Sequence, residues 1–286
     1  MEKRKKRKNI LTLFGNSFIH YWKNLHVALP MLLFFLLLLI LFFVFAIITI
    51  SLLAPLLNAV SDIGKDVLQS PQQPQLSFLF SNPSNLYNKL ITLLVVGALF
   101  ALIGIIAYAV FFSSMLVFIK EIVTAKPAKA TIKRNYFKLC FKNRKYWLKL
   151  IGVWALQVLL GIIYFAILFG IIFAVKNPIA IFIITLVGLI AAYFLYVFII
   201  TMPNVVVFYD TGIFKSFNIS IKNAAHNYWP LLGLVLLIDV ATTIVSIVFG
   251  LIPFVGSFIV LLISFVIFIP FKSIALMHFI AERFEA

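Results

Sequence analysis

In a chain of 286 residues that carries only eight Asp and Glu, one acid stands where an acid is costly. Asp239 falls inside the apolar run YWPLLGLVLLIDVATTIVSIVFG, ten residues beyond Trp229. Ten residues of helix advance roughly 15 Å, close to the middle of a bilayer. An Asp there costs about 2.5–3.5 kcal/mol on insertion scales, so it is expected to face other helices or water. Two chemistries suit such a group. One is a proton or cation site at the pseudo-symmetric centre of a repeated helical protein; the other is a protonated carboxyl that hydrogen-bonds neighbouring helices. Polar side chains that can share its depth are Gln157, Ser264, Thr242, Thr243 and Ser113. Lys272 lies roughly 10 Å away along the helix axis and is expected to reach outward to the interface, so no direct ion pair is expected.

A second chemistry is written in residues 137–143, FKLCFKN, where Phe137 and Phe141 sit one helical turn apart and Lys142 and Asn143 follow. Aromatic and basic side chains at this spacing suit stacked bases and phosphates, or equally a bilayer surface. The pattern recurs as Phe18, Trp22, Lys23, Asn24 and as Phe217, Ile221, Lys222, Asn223, each time just ahead of a long apolar run. With a bilayer within a turn of these rings, the expected partner is lipid, and no nucleic acid is expected. Candidate contacts to anionic headgroups are Lys133, Arg134, Lys138, Lys142, Arg144, Lys145 and Lys149, with Lys23 and Lys222 from the other two copies. Partner membrane proteins are a further possibility on the same faces.

Composition sets the class. Hydrophobic residues are 64% and charged residues 11% of the chain, against roughly 45–50% and about 25% in soluble domains. Too little polar surface exists to cover this chain in water, which excludes a soluble enzyme. The net charge of +16 then reads as orientation and attraction to anionic lipid. Cys140 is the only cysteine and cannot form an intrachain disulfide, and His20, His26, His226 and His278 lack ligand spacing, so no metal or cofactor is expected. No phosphate loop, metal-binding His/Glu pair, Gly-x-Ser-x-Gly elbow or pair of carboxylates occurs, and a catalytic role is not expected.

The elements that must position these residues are six apolar stretches at about 29–57, 90–119, 149–175, 179–202, 231–250 and 254–278, each near the roughly 20 residues a spanning helix needs. The run after MEKRKKRK is too long for a cleavable signal peptide and is expected to be a retained span. Turns at Lys176, Asn177, Pro178 and at Ile252, Pro253 imply tight hairpins. Of the 24 Lys and Arg, all but Lys65, Lys89 and Lys176 fall on one side of this arrangement, which predicts a cell-membrane protein with both termini cytoplasmic. Residues 58–89 are expected to be an external loop, mobile around QSPQQPQ, with LSFLF at 76–80 returning to the membrane or packing on helix ends. Gly97, Ala101 and Gly104 form a small-residue stripe suited to helix contact.

Aligned at their Tyr-Trp pairs, YWLKLIGVWALQ (146–157) and YWPLLGLVLLID (228–239) meet a hydrogen-bonding side chain at the same step, while the first span has Leu39 there. The expected fold is therefore all-α, one membrane domain of residues 1–286 built from three hairpin repeats. Each repeat is introduced by an amphipathic interfacial helix, within 1–28, 120–148 and 203–230. The stretch PNVVVFYDTGIFKSFNISIKNAAHNYWPLLGL, with Pro203, Asp210, Gly212, Ser216, Lys222, Asn223 and Trp229, resembles a little-characterised group of prokaryotic and archaeal six-span proteins. That group is similar to the membrane domain fused to some glycerophosphodiester phosphodiesterases. The resemblance implies a fold and a membrane setting and no catalytic residue, since no phosphodiesterase head is present. The expected function is a non-catalytic membrane component that organises lipids or partner proteins; the alternative is a small-solute or ion transporter using Asp239.

Overall fold

A computed structural model describes residues 9–69, 83–124, 144–253 and 255–284. These residues are mostly helical, with short turns between the helices and no strand among them. In chain order they form α1 (Ile10–Lys23), a 3-10 turn (Leu25–Ala28), α2 (Leu29–Gln69), α3 (Pro83–Thr124), α4 (Arg144–Ala174) and α5 (Pro178–Ile199). Then come α6 (Met202–Phe208), α7 (Ile213–His226), α8 (Tyr228–Gly250), α9 (Gly256–Ile263), a π-helical turn (Ser264–Phe268) and α10 (Ile269–Arg283).

Among the described residues, six stretches are long and apolar enough to cross a membrane: Leu25–Ala54, Tyr87–Thr124, Lys145–Ala174, Pro178–Tyr209, Tyr228–Gly250 and Gly256–Arg283. This is the architecture of a multi-pass, membrane-embedded, all-helical protein. Within the expected loop 58–89, residues 58–69 and 83–89 are helical. Helix α2 continues to Gln69 and α3 begins at Pro83, because polar residues such as Ser61, Asp62 and Lys65 end an apolar run without breaking a helix. FKLCFKN and LSFLF lie outside the described residues, as does most of the 120–148 segment.

The packing forms two compact units, one of Met1–Leu33 with Tyr108–Ala286 and one of Phe34–Ala107. In the second, the Phe45 ring lies 5.5 Å from that of Phe100 and packs against the open side of Gly97. A Cβ at Gly104 would meet nothing within 4 Å. The small-residue stripe is therefore in close contact only at its Gly97 end.

In the first unit, α6 is the interior element. Met202, Pro203, Asn204, Val205, Val206 and Val207 are all buried, and the helix packs on α4, α7 and α10. Residues 203–208 thus belong to the core and not to an interfacial segment, as an uncharged Met-Pro-Asn-Val-Val-Val-Phe sequence permits. The chain leaves this helix through Asp210, whose φ of 51° places it in the left-handed region that Asp tolerates better than most residues.

The two short helices bury small or polar faces. Helix α7 turns Ser216, Ile219, Ser220, Asn223 and Ala224 inward, and α1 turns Leu13, Ser17 and Tyr21 inward. Their inward serines bond back one turn, Ser17 Oγ to the Leu13 carbonyl at 2.8 Å and Ser216 Oγ to the Gly212 carbonyl at 2.7 Å. Satisfied in this way, a serine costs little inside a close helix contact. The rings expected to lie on lipid divide their roles: Phe18 and Trp22 are half exposed, yet Phe18 also meets the edge of Phe271 on α10 at 6.2 Å.

Both tight hairpins have local causes. Asn177 caps α5, its Oδ1 accepting from the Ile179 and Ala180 N–H groups at 2.9 and 3.3 Å, and Pro178 follows at a position where a missing N–H costs nothing. At the α8–α9 turn, Gly256 is required by space. A Cβ there would lie 2.2 Å from the Phe249 carbonyl oxygen, a backbone atom that cannot rotate away. Gly256→Ala is expected to destabilise the protein by about 1–3 kcal/mol, read as a lower unfolding temperature in detergent, while Gly250→Ala, where a Cβ meets open space, leaves it unchanged.

Candidate functional site

The site begins with two prolines. Pro203 has no N–H to offer the Ile199 carbonyl one turn earlier, and Pro270 leaves Val266 in the same position. A bare carbonyl in an apolar interior is costly. The structure supplies a donor from another helix each time: Gln157 Nε2 of α4 reaches Ile199 O at 2.8 Å, and Tyr21 Oη of α1 reaches Val266 O at 2.8 Å. Burial pushes the Tyr21 phenol up to about 12, which keeps it a donor at any physiological pH. Lys120 closes a third gap, donating from Nζ to Val207 O at the end of α6 at 3.0 Å.

Between these repaired helices lies the charge pair that sequence reasoning did not expect. Lys272 Nζ donates to Asp239 Oδ1 at 2.6 Å, Tyr193 Oη donates to Asp239 Oδ2 at 3.1 Å, and Lys272 Nζ also reaches Tyr196 Oη at 3.3 Å. The Lys272 ammonium stands 5.6 Å over the Tyr196 ring. The expectation that Lys272 is too distant is overturned, for three physical reasons. Every helical Cα–Cβ bond tilts toward its own N-terminus, so on antiparallel α8 and α10 the Asp239 and Lys272 side chains lean toward each other. The π turn at Ser264–Phe268 adds a residue without a full helical rise. An extended lysine then covers the remainder, and outward snorkelling loses to a carboxylate within reach.

The other residues predicted for this site are placed elsewhere. Gln157 serves Ile199, Ser113 bonds to Val110 O, and Thr242 and Thr243 bond back to Ile238 O and Asp239 O one turn earlier. Ser264 sits in the π turn and is not a partner of the carboxylate. Tyr193 and Tyr196, spaced three apart on one face of α5, were not singled out by sequence; two hydroxyls at helical spacing inside an apolar run were the signal available. Among the described residues no group of three His, Cys, Asp or Glu could hold a metal ion.

Of the predicted lipid contacts, Lys133, Arg134, Lys138 and Lys142 lie outside the described residues, and Arg144 is described only as the first residue of α4. Lys145 and Lys149 have a partner within the protein. Both ammonium groups bond the Asp210 carboxylate, Lys149 at 3.3 Å, tying the start of α4 to the α6–α7 turn. The Lys145 hydrogen bond, helped by Lys149, holds the Asp210 carboxyl below its usual value. Lys23 and Lys222 are exposed.

In comparisons with known proteins, no protein-family model, curated protein or solved structure matches the chain.

Two outcomes test this wiring. Gln157→Leu is expected to cost about 1 kcal/mol, and Pro203→Ala, which restores an N–H opposite Ile199, is expected to recover most of it in the double variant. Unfolding in detergent reads both. Because the folded-state pKa of Asp210 is depressed, its contribution is present above the unfolded value of about 3.9 and fades as pH falls through the native one. The difference in unfolding temperature between wild type and Asp210→Asn should accordingly be constant above that pH and shrink below it.

Proposed function

We propose that this protein is a non-catalytic component of the cell membrane that organises lipids or partner proteins, with its termini on the cytoplasmic side. The observation that carries this reading is the Asp239–Lys272 contact. The one acid deep in a span already holds a protein ammonium at 2.6 Å, so the place of a transported cation is filled by the chain itself. The basic rims, the exposed Phe214 and Trp229 at 80% and 73%, and the absence of catalytic motifs support the same reading.

The repeat reading belongs with it. Ser17 and Ser216 occupy the same position before Phe18 and Phe217, and Asn24 and Asn223 each bond the carbonyl four residues back, His20 O at 2.9 Å and Ile219 O at 3.0 Å. Such equivalences favour one ancestral unit used more than once. The resemblance of residues 203–282 to six-span membrane domains is consistent with this setting.

A second reading, transport through Asp239, is favoured by two observations. The Asp239 and Lys272 side chains keep 31% and 24% exposure, and π turns are frequent at sites that move. Flux of protons and alkali cations into vesicles separates the readings. We expect no flux above empty vesicles for wild type or Asp239→Asn, and a loss of about 3 kcal/mol of stability in Asp239→Asn from the stranded Lys272 charge. Lys272→Met should cost a similar amount, and the double variant less than either alone. A wild-type flux abolished by Asp239→Asn would overturn the scaffold reading.

A further inference from the structure

A groove of about 680 Å³ runs between α4, α5 and α7, lined by Gly161, Tyr164, Leu195, Tyr196, Phe217 and Ile221 among others. Its volume is that of a small-ligand site, and its polar groups each hold a protein partner already. Gln157 serves Ile199, Tyr164 Oη donates to Gly188 O at 2.6 Å, and Tyr196 Oη accepts from Lys272. An occupant is therefore offered hydrocarbon. Along α4 the lining runs from Gln157, which its bond to Ile199 sets at the α7-facing end of α5 and not at the mid-span depth of Asp239, to Phe165, roughly 12 Å of helix, comparable to one leaflet of a core about 30 Å thick.

Helix α7 sets charge on the arc beside its groove-lining residues. At 100° per residue, Phe214, Phe217 and Ile221 share one arc, Lys215 and Lys222 the next, and the inward Ser216, Ser220 and Asn223 the third. Lys215 and Lys222 are exposed and have no ion-pair partner among the described residues. Apolar lining from one arc of α7 and exposed ammonium groups on the next arc match the two halves of an anionic phospholipid.

We infer that this groove holds an acyl chain of one anionic phospholipid of the adjoining leaflet, with its phosphate at Lys215 and Lys222. The inference rests on the membrane-organising reading and names its ligand. Gly161 provides the decisive variant. A Cβ there meets nothing within 4 Å and the position lines the groove, so Gly161→Leu puts a side chain into it and improves helix propensity. Val158→Trp, at a lining position 61% exposed, is the second.

The full chain is purified in detergent, incubated with phosphatidylglycerol or phosphatidylcholine, and weighed intact by native mass spectrometry. Wild type should retain one phosphatidylglycerol in preference to phosphatidylcholine. Both groove variants should lose that retention at least tenfold with no fall in unfolding temperature. Lys215→Ala and Lys222→Ala should each weaken the preference about fivefold, as about 1 kcal/mol per basic residue implies. Wild-type retention in Gly161→Leu and Val158→Trp would overturn the inference. So would a change in oligomeric state in those variants with lipid retention intact, which would make the occupant a second copy of the chain. The vesicle flux assay reports separately on the membrane-organising reading, so the two can fail independently.

Discussion

A backbone carbonyl that meets neither water nor an N–H has no favourable state in an apolar medium, and the larger unit of this protein is arranged around that constraint. Prolines at 203 and 270, each at the start of a helix, leave one such carbonyl a turn earlier. Gln157 and Tyr21 fill them from α4 and α1, and Lys120 fills a third at the end of α6. These bonds fix the rotation of α4 and α1 about their own axes. Faces that look equally greasy in sequence become unequal once one of them must present the donor.

The same scarcity governs charge. The chain has eight acids; among the described residues Asp210 binds Lys145 and Lys149 at the bundle's edge, and Asp239 binds Lys272 within it. The first pair is largely hydrated, so solvent screens it and it serves to align a turn. The second is partly shielded, and there the loss of one partner is far more damaging than the loss of both, because an unmatched charge stays behind. A π turn lies beside it on the same helix as Lys272, so the part of the spans with the least regular backbone is also the part that carries charge.

Small polar residues let helix α7 sit tightly on α5 and α6, which leaves Phe214, Lys215 and Lys222 on the outer surface. A helix that buried its phenylalanines in the protein would leave no such surface. The choice of serine over leucine on the inward face therefore decides what the outward face can bind.

Much of the architecture was legible from sequence, because span length is set by the solvent and not by partners. Six apolar runs, two proline-marked hairpins and short helices ahead of the first and fifth spans all follow from residue type and spacing. Which side chains meet does not. Depth along one helix placed Lys272 out of reach of Asp239, and only the antiparallel packing of α8 and α10 turns both side chains toward each other. Gln157 reads as a partner for an acid until Pro203 is placed opposite it on α5–α6, and α6 reads as interfacial until three helices close around it. Period and composition are local quantities, while a contact depends on two helices' rotation and offset, and those are set by packing alone.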